Sequence, residues 1–195
     1  MPKLPGVKHL CQPIEPRHFR FWPEGLPRSL SFPRTPLHEL LEVSARCHAQ
    51  KPVSWFFGAA LAYREAHEQV LRLAGFLQQA CGVRPGDRVL VDLQNSPQFL
   101  LAAYAISRAD AVMVPVSPMC VADELAHYVE DSGARVAIAG QEAWPQLAGL
   151  LGRTPLERAI VAAYVDYADP GCDLPRPEAV AARRGLIDAR GVTVW

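Results

Sequence analysis

The second half of the chain alternates short apolar runs with helical patterns, and this alternation constrains the fold more than any other feature. "VLVDL" and "AVMVPV" are almost wholly apolar, as strands covered on both faces are. Strands separated by crossover helices form a parallel sheet with helices on its faces. The pattern therefore predicts an α/β fold of the doubly wound type. Predicted strands cover residues 88–93, 111–116, 135–139 and 158–163, and predicted helices cover 97–108, 122–131 and 144–151.

Upstream of the sheet, the sequence predicts two helices joined by a hairpin. Thr35 and Pro36 supply a cap and a preorganised first residue for the first helix. Its inward face is predicted to hold Leu37, Leu40, Leu41 and Ala45. The run "VSWFFGAALAY" indicates a short hairpin about Gly58. Apolar residues then recur with a helical period from Tyr63 until Gly82.

We expect three regions along the chain. Residues 1–35 form an extended arm, because eight of the eighteen prolines fall within the first 36 residues and proline restricts regular structure. Residues 36–165 form the α/β subdomain, and residues 166–195 form a tail that leads toward a downstream region. The arm holds six basic residues against two acidic ones, and its aromatic residues are Phe19, Phe21, Trp22 and Phe32. It either packs along the domain surface or contacts a membrane surface or a partner.

Charge and hydropathy exclude several classes of protein. Twenty basic residues balance twenty acidic ones, so the net charge favours no nucleic-acid partner. The longest apolar stretch, residues 99–106, is far shorter than the ~18 to 20 residues that span a bilayer. The N-terminus lacks the apolar region of a secretory signal. We expect a cytoplasmic protein, with peripheral membrane contact as a further possibility through the arm.

Metal and disulfide chemistry are not predicted. The five cysteines are Cys11, Cys47, Cys81, Cys120 and Cys172. Their number is odd and their spacing is wide, which indicates reduced thiols. The nearest approach to a metal site is His38, Cys47 and His48. Because Cys47 and His48 are adjacent, they point in different directions on a helix, and no metal ligand is assigned.

Residues Leu93 to Pro97 form a strand-to-helix turn, the position at which many α/β proteins hold phosphate. Such a site needs backbone N–H groups and glycines that allow close approach. "LQNSPQF" has no glycine, and Pro97 removes one donor. Ser96 and Pro97 together form a complete helix start, so the turn is interpreted as a structural corner.

The sequence contains no other arrangement typical of catalysis. It has neither the glycine-rich nucleotide motifs nor the serine-hydrolase and zinc-protease motifs. Asp92 lies in a strand, where it is expected to bond to a neighbouring backbone group or an arginine. Glu124 and Asp131 are expected on a solvated helix face. His67, at the inner edge of its helix, is interpreted as a packed histidine.

A series of short motifs resembles the N-terminal part of the AMP-forming acyl-CoA synthetases. The pieces are the helix from Tyr63, "GVRPGDRV" at 82–89, "NSP" at 95–97, "AVMVPVSP" at 111–118, "EL" at 124–125 and "DSGA" at 131–134. Their order and spacing match the family over residues 36–140. The run from Val116 to Met119 is similar to the fatty-acid CoA ligase branch. Asp110 stands where the family usually has glycine, and Val121 stands where a threonine often caps the next helix.

The resemblance implies a two-step ligase reaction in the parent protein. ATP and Mg²⁺ activate a carboxylic acid, expected to be a fatty acid, as an acyl-adenylate, and the thiol of coenzyme A then displaces AMP. The phosphate loop, the nucleotide contacts, the hinge and the C-terminal lysine of the family have no match before Trp195. We therefore assign no catalytic, cofactor-binding or metal-binding residue, and we expect no cofactor on this chain.

Two hypotheses follow. In the first, these residues are the leading portion of a fatty-acid CoA ligase and are inactive alone. In the second, the chain is a free-standing α/β module that binds a nucleotide or a partner protein. The second hypothesis requires the apolar helix around Phe99 to Ile106 to be covered by self-association or by the arm.

Overall fold

The computed structural model describes residues 17–29, 31–185, 187 and 189–195. The chain forms two compact units, Met1–Arg34 and Thr35–Trp195. Cys11 and the first prolines lie outside the described residues. In the first unit, a 3-10 helix covers Arg17–Phe21. The rings of Phe19 and Trp22 meet edge to face at 5.5 Å, and Arg28 lies 5.3 Å above the Phe19 ring.

The second unit holds the elements that the sequence predicts, with small differences at their ends. Its helices are α1 Leu37–Cys47, α2 Tyr63–Gln79, α3 Pro97–Arg108, α4 Ala122–Ser132, α5 Trp144–Ala148 and α6 Glu178–Ala181. Its strands are β1 Pro52–Phe56, β2 Ala59–Ala62, β3 Arg88–Asp92, β4 Val112–Pro115, β5 Val136–Gly140, β6 Arg158–Ala162 and β7 Val192–Val194. A second 3-10 helix covers Tyr164–Tyr167.

The main sheet has five strands in the order β4-β3-β5-β6-β7, and all of its pairings are parallel. β1 and β2 form a separate antiparallel hairpin, as predicted around Gly58. β7 pairs with β6, so the residues after Asp166 contribute a strand to the sheet. The α/β fold with a parallel sheet between helices is therefore confirmed.

Each face of the sheet buries its own apolar cluster. On one face, Val89, Val91 and Ile138 pack with residues of α1, α2 and α3. On the other face, Leu90 and Ala137 pack with residues of α4 and α5. Neighbouring residues of a strand point to opposite faces, so an apolar run such as "VLV" fills both clusters at once.

The apolar helix α3 is covered within the second unit. Its Leu101, Ala102, Ala105 and Ile106 are fully buried, and α3 contacts both α1 and α2. Ser96 caps α3 by accepting a hydrogen bond from the N–H of Phe99 at 3.3 Å, and Pro97 is the first helical residue, as predicted. The sequence-based requirement that self-association or the arm covers this helix is therefore wrong.

The inward face of α1 differs from the prediction. His38, Leu41 and Ala45 are buried, whereas Leu37 and Leu40 are 51% and 58% exposed. The buried His38 accounts for this rotation, because its backbone N–H donates to Ser107 Oγ of α3 at 3.3 Å. The predicted capping role of Thr35 is also wrong, since the residue before the helix is Pro36 and no side chain caps α1.

Asp110 adopts the left-handed backbone conformation, with φ of 55°. It lies between α3 and β4, where the N–H of Gly86 donates to its carbonyl oxygen at 2.8 Å. An L-residue in this region costs about 1 kcal/mol, and Asp tolerates it better than most residues. The departure from glycine at this position is thus compatible with the fold.

Candidate functional site

The strand order places a candidate ligand crevice between β3 and β5. In open α/β sheets, ligands bind outside the carboxyl ends of strands whose connections leave to opposite faces. After β3 the chain enters α3 on one face, and after β5 it enters α5 on the other. The carboxyl ends of these two strands carry Asp92 and, two residues beyond Gly140, Glu142. This crevice is therefore the position to search for chemistry.

Tyr164 fills the crevice from the neighbouring strand. It follows β6, is fully buried, and accepts a hydrogen bond from the N–H of Gln94 at 2.8 Å. Gln98 of α3 is also fully buried, and its amide donates to the carbonyl oxygen of Ala163 at 2.9 Å. These two bonds join the turn after β3 to the segment after β6. The side chains of the chain itself thus occupy the space where a ligand would sit.

Two backbone N–H groups at the start of α3 are already bonded within the protein. The N–H of Gln94 is bonded to Tyr164, and the N–H of Phe99 is bonded to Ser96 Oγ. Pro97 has no N–H to donate. A phosphate cradle needs several convergent donors and glycines that allow close approach, and this turn has no glycine.

Asp92 is the most perturbed acid of the crevice. It is 1% exposed, and its Oδ1 has no hydrogen-bond partner among the residues that the structure describes. Burial, and secondly the charge of Glu142, raise the pKa of Asp92 to about 6. The expectation that Asp92 bonds to a backbone group or an arginine is therefore wrong for Oδ1. A carboxyl group in this environment keeps its proton to a higher pH than an exposed aspartate does.

Glu142 and Tyr164 lie together over Gly140. A Cβ atom on Gly140 would overlap both Glu142 Oε2 and the Tyr164 hydroxyl. Both carboxylate oxygens of Glu142 are buried without a partner in the described part of the chain. Burial is also the main cause that raises the pKa of Tyr164, whereas the bond from Gln94 acts in the opposite direction. The crevice therefore brings the Tyr164 hydroxyl close to the carboxyl group of Glu142.

We expect Gly140→Ala to destabilise the protein by about 1–3 kcal/mol, because the added methyl group displaces two buried polar groups. Gly75→Ala is the matched control. Gly75 lies inside α2 with open space at its Cβ position, so alanine there is expected to stabilise by about 0.5–1 kcal/mol. Urea unfolding of both variants measures the two changes. Equal stabilities would contradict the close packing over Gly140.

Most other residues that the sequence singled out have structural roles. Glu124 accepts a hydrogen bond from the N–H of Val121 at 3.1 Å and so caps α4, whereas Asp131 is exposed as expected. His67 is half-buried. His38 Nδ1 lies 3.3 Å from Ser107 Oγ, which joins α1 to α3. Glu124 is exposed, as expected for a solvated helix face, and its cap on α4 was not predicted.

The four cysteines that the structure describes do not assemble a reactive centre. Cys47, Cys81, Cys120 and Cys172 are free thiols, as predicted for reduced cysteines. Burial raises the pKa of Cys81, which makes that thiol less reactive. Within the described ranges, no three histidine, cysteine or acidic side chains are grouped to hold a metal ion. Over the same residues, no helix is both long and apolar enough to cross a membrane.

Comparison with known proteins identifies relatives of this fold. A family model described as "AMP-binding enzyme" matches residues 41–183. A long-chain-fatty-acid–CoA ligase of Bacillus subtilis is 27% identical over 146 residues, which cover 75% of this chain and 26% of that protein. A feruloyl-CoA synthase of an Amycolatopsis species is 40% identical over 112 residues, which cover 57% of this chain and 22% of the relative.

A solved structure of a CoA ligase is also similar to this chain. The long-chain-fatty-acid–CoA ligase of Archaeoglobus fulgidus superposes with a TM-score of 0.61 at 26% identity, covering 68% of this chain and 28% of that one. The matched part thus spans about a quarter of the length of these proteins, 22% to 28% in the three comparisons.

Proposed function

Because this chain belongs to the AMP-binding enzyme family, we propose that it forms the N-terminal region of an ATP-dependent fatty-acid CoA ligase. The family match over residues 41–183 carries the proposal. The similarity to ligases of long-chain fatty acids in Bacillus subtilis and Archaeoglobus fulgidus supports the choice of acid. The proposed division follows the sequence, with an arm over residues 1–35, the α/β subdomain over 36–165 and a connecting segment over 166–195.

The proposed reaction has two displacements. A carboxylate oxygen of the acid attacks the α-phosphorus of ATP, and the bond to the β-phosphate oxygen breaks, giving acyl-adenylate and pyrophosphate. The thiolate of coenzyme A then attacks the acyl carbon, and the bond to the AMP oxygen breaks. Mg²⁺ would screen the phosphate charges in the first step.

No step of the reaction is assigned to the described residues. The turn at Leu93 to Pro97 has no glycine, and two of its nearby N–H groups are bonded within the protein. The crevice offers two carboxyl groups, Asp92 and Glu142, and Tyr164 occupies the space between the strands. We infer that this chain supplies a folded support for a reaction centre formed by other residues of the family.

We expect the purified 195-residue chain to form no acyl-adenylate. The measurement is pyrophosphate release with palmitate, ATP, Mg²⁺ and coenzyme A, and the Bacillus subtilis relative is the positive control. Release matched by acyl-CoA formation, and absent when palmitate is omitted, would show that this chain is catalytic by itself and would overturn the assignment of its reaction centre to other residues.

The origin of the chain is tested by sequencing its encoding DNA beyond codon 195. A frame that continues into a loop rich in Ser, Thr and Gly supports the ligase proposal. A stop codon after Trp195 contradicts it and favours the second candidate, a free-standing α/β module that binds a nucleotide or a partner protein. One observation favours this alternative, since α1, α2 and α3 enclose an apolar core without help from another chain. Self-association through exposed apolar residues stays a prediction.

A further inference from the structure

Four buried side-chain oxygens of the described residues lack a hydrogen-bond partner, and all four lie at or beside the crevice between β3 and β5. They are Asp92 Oδ1, Gln98 Oε1 and both carboxylate oxygens of Glu142. Asp92 ends β3, Gln98 lies in the first turn of α3, and Glu142 follows β5. A buried acceptor without a donor costs free energy, so this cluster requires a physical explanation.

Asp92, Glu142 and Tyr164 share one buried space. Burial raises the pKa of Asp92, and the charge of Glu142 raises it further. The Tyr164 hydroxyl and Glu142 Oε2 are neighbours, because a Cβ atom on Gly140 would overlap both. The oxygen of that hydroxyl accepts from the N–H of Gln94 at 2.8 Å, so its own proton is left to be donated. Two carboxyl groups therefore meet one phenol in this space.

The surrounding charged groups do not neutralise this pair. Among the described residues, neither Asp92 nor Glu142 forms an ion pair. The first turns of α3 and α5 carry no charged side chain. Residues 182–185 pack against Gln141 through hydrogen bonds. The charged residues of that segment and of the elements after β4 and β6 are exposed or already paired, namely Asp123, Glu124, Asp166, Arg183 and Arg184.

We propose that Asp92 and Glu142 share one proton, and that this proton holds the Glu142 side chain inside the crevice. In this closed form, protonated Asp92 donates to one carboxylate oxygen of Glu142, and the Tyr164 hydroxyl donates to the other. One added proton thus leaves only Gln98 Oε1 of the four acceptors without a partner.

Loss of the shared proton to solvent opens the crevice. Two negative charges then face each other in a buried space, which is unfavourable. Glu142 turns outward, because it lies in the short loop between β5 and α5. The pKa of Asp92 of about 6 places the change near neutral pH, with the closed form favoured below it. Opening exposes the position at which open α/β sheets take a ligand, and it requires neither ATP nor coenzyme A.

The test is amide hydrogen exchange of the purified chain, measured by NMR at pH 5 and pH 7 and corrected for the intrinsic rate. The Gln94 amide reports on the crevice, since it is bonded to Tyr164. Its protection is expected to fall about tenfold between the two pH values. The Ala111 amide, bonded to Ile106 at the opposite edge of the sheet, reports on the whole fold and is expected to lose less. Constant protection of Gln94, or an equal fall at both amides, would overturn the proposal.

A pair of glutamate variants tests the role of Glu142. Glu142→Gln removes one of the two opposed charges, so the protection of Gln94 is expected to be the same at both pH values. Glu130→Gln removes an exposed charge from α4 and is expected to keep the tenfold fall. Asp92→Asn is a second variant of the pair and is also expected to abolish the pH dependence. Retention of the fall in Glu142→Gln, or in Asp92→Asn, would contradict a shared proton.

Discussion

Leu41→Ala is expected to lower the free energy of unfolding by about 2–4 kcal/mol, whereas Leu40→Ala is expected to change it by less than about 0.5 kcal/mol. The two residues are neighbours on α1 and have the same side chain. Leu41 is 2% exposed and packs in the cluster beneath α2 and α3, while Leu40 is 58% exposed. Removing Leu41 leaves a cavity, but removing Leu40 mainly trims exposed surface. Chemical unfolding of both variants under one condition gives the difference.

This pair tests the rotation of α1 directly. The sequence-based prediction places both leucines on the inward face. If it were right, both substitutions would lower the free energy of unfolding by similar amounts. From the structure, we expect a large loss of stability for Leu41→Ala and a negligible change for Leu40→Ala. Two losses of similar size would show that α1 is rotated toward Leu37 and Leu40, away from the contact between His38 and Ser107.

Asp92→Asn is expected to stabilise the protein at pH 7 and to flatten its stability between pH 4 and 6. Burial raises the pKa of Asp92 from 3.8 to about 6, so the folded state binds a proton over a range in which the unfolded state has lost it. Stability from this group is therefore present below about pH 4, falls as pH rises to about 6, and stays low above it. The loss at pH 7 is on the order of 2–3 kcal/mol. Asparagine has a similar size and carries no charge at any pH.

The measurement is the free energy of unfolding of both proteins at intervals from pH 4 to 8. Asp131→Asn is the control, because Asp131 is exposed on α4 and is expected to leave the pH profile unchanged. An Asp92→Asn variant whose stability follows the parent at every pH would mean that Asp92 ionises normally in the folded protein. In that case Asp92 would have to reach solvent or a cationic partner.

The sequence predicts where the helices and strands lie better than it predicts which side of a helix is buried. The strands were predictable because "VLVDL" and "AVMVPV" are apolar without alternation, and α3 was placed correctly because Ser96 and Pro97 mark its start. The face of α1 was not predictable from its leucines. An eleven-residue helix with several apolar residues has more than one plausible inward face, and here a contact between His38 and Ser107, 69 residues apart, selects it.

The candidate site was less predictable for a similar reason. Asp92 and Glu142 are fifty positions apart, and only the order in which β3 and β5 pair brings them to one crevice. A charged residue at the end of an apolar strand was a visible signal, but it was interpreted as a partner for a backbone group or an arginine. Tyr164 gave no signal in the sequence, because its role depends on the absence of a side chain at Gly140.

The parallel pairing of the five strands also has a consequence for how the chain folds. Because the strands are parallel, a tight turn cannot join any two of them. β3 and β5 are neighbours in the sheet, but β4 lies between them in the sequence. Each pairing closes a long loop, whose entropy is lost before the contacts form, so folding is expected to be slow compared with helical proteins of this size. During that interval β5 and β6, which are mostly buried in the finished protein, expose apolar side chains and unpaired backbone N–H and C=O groups. A growing chain of this kind is therefore most prone to aggregate before its sheet is complete.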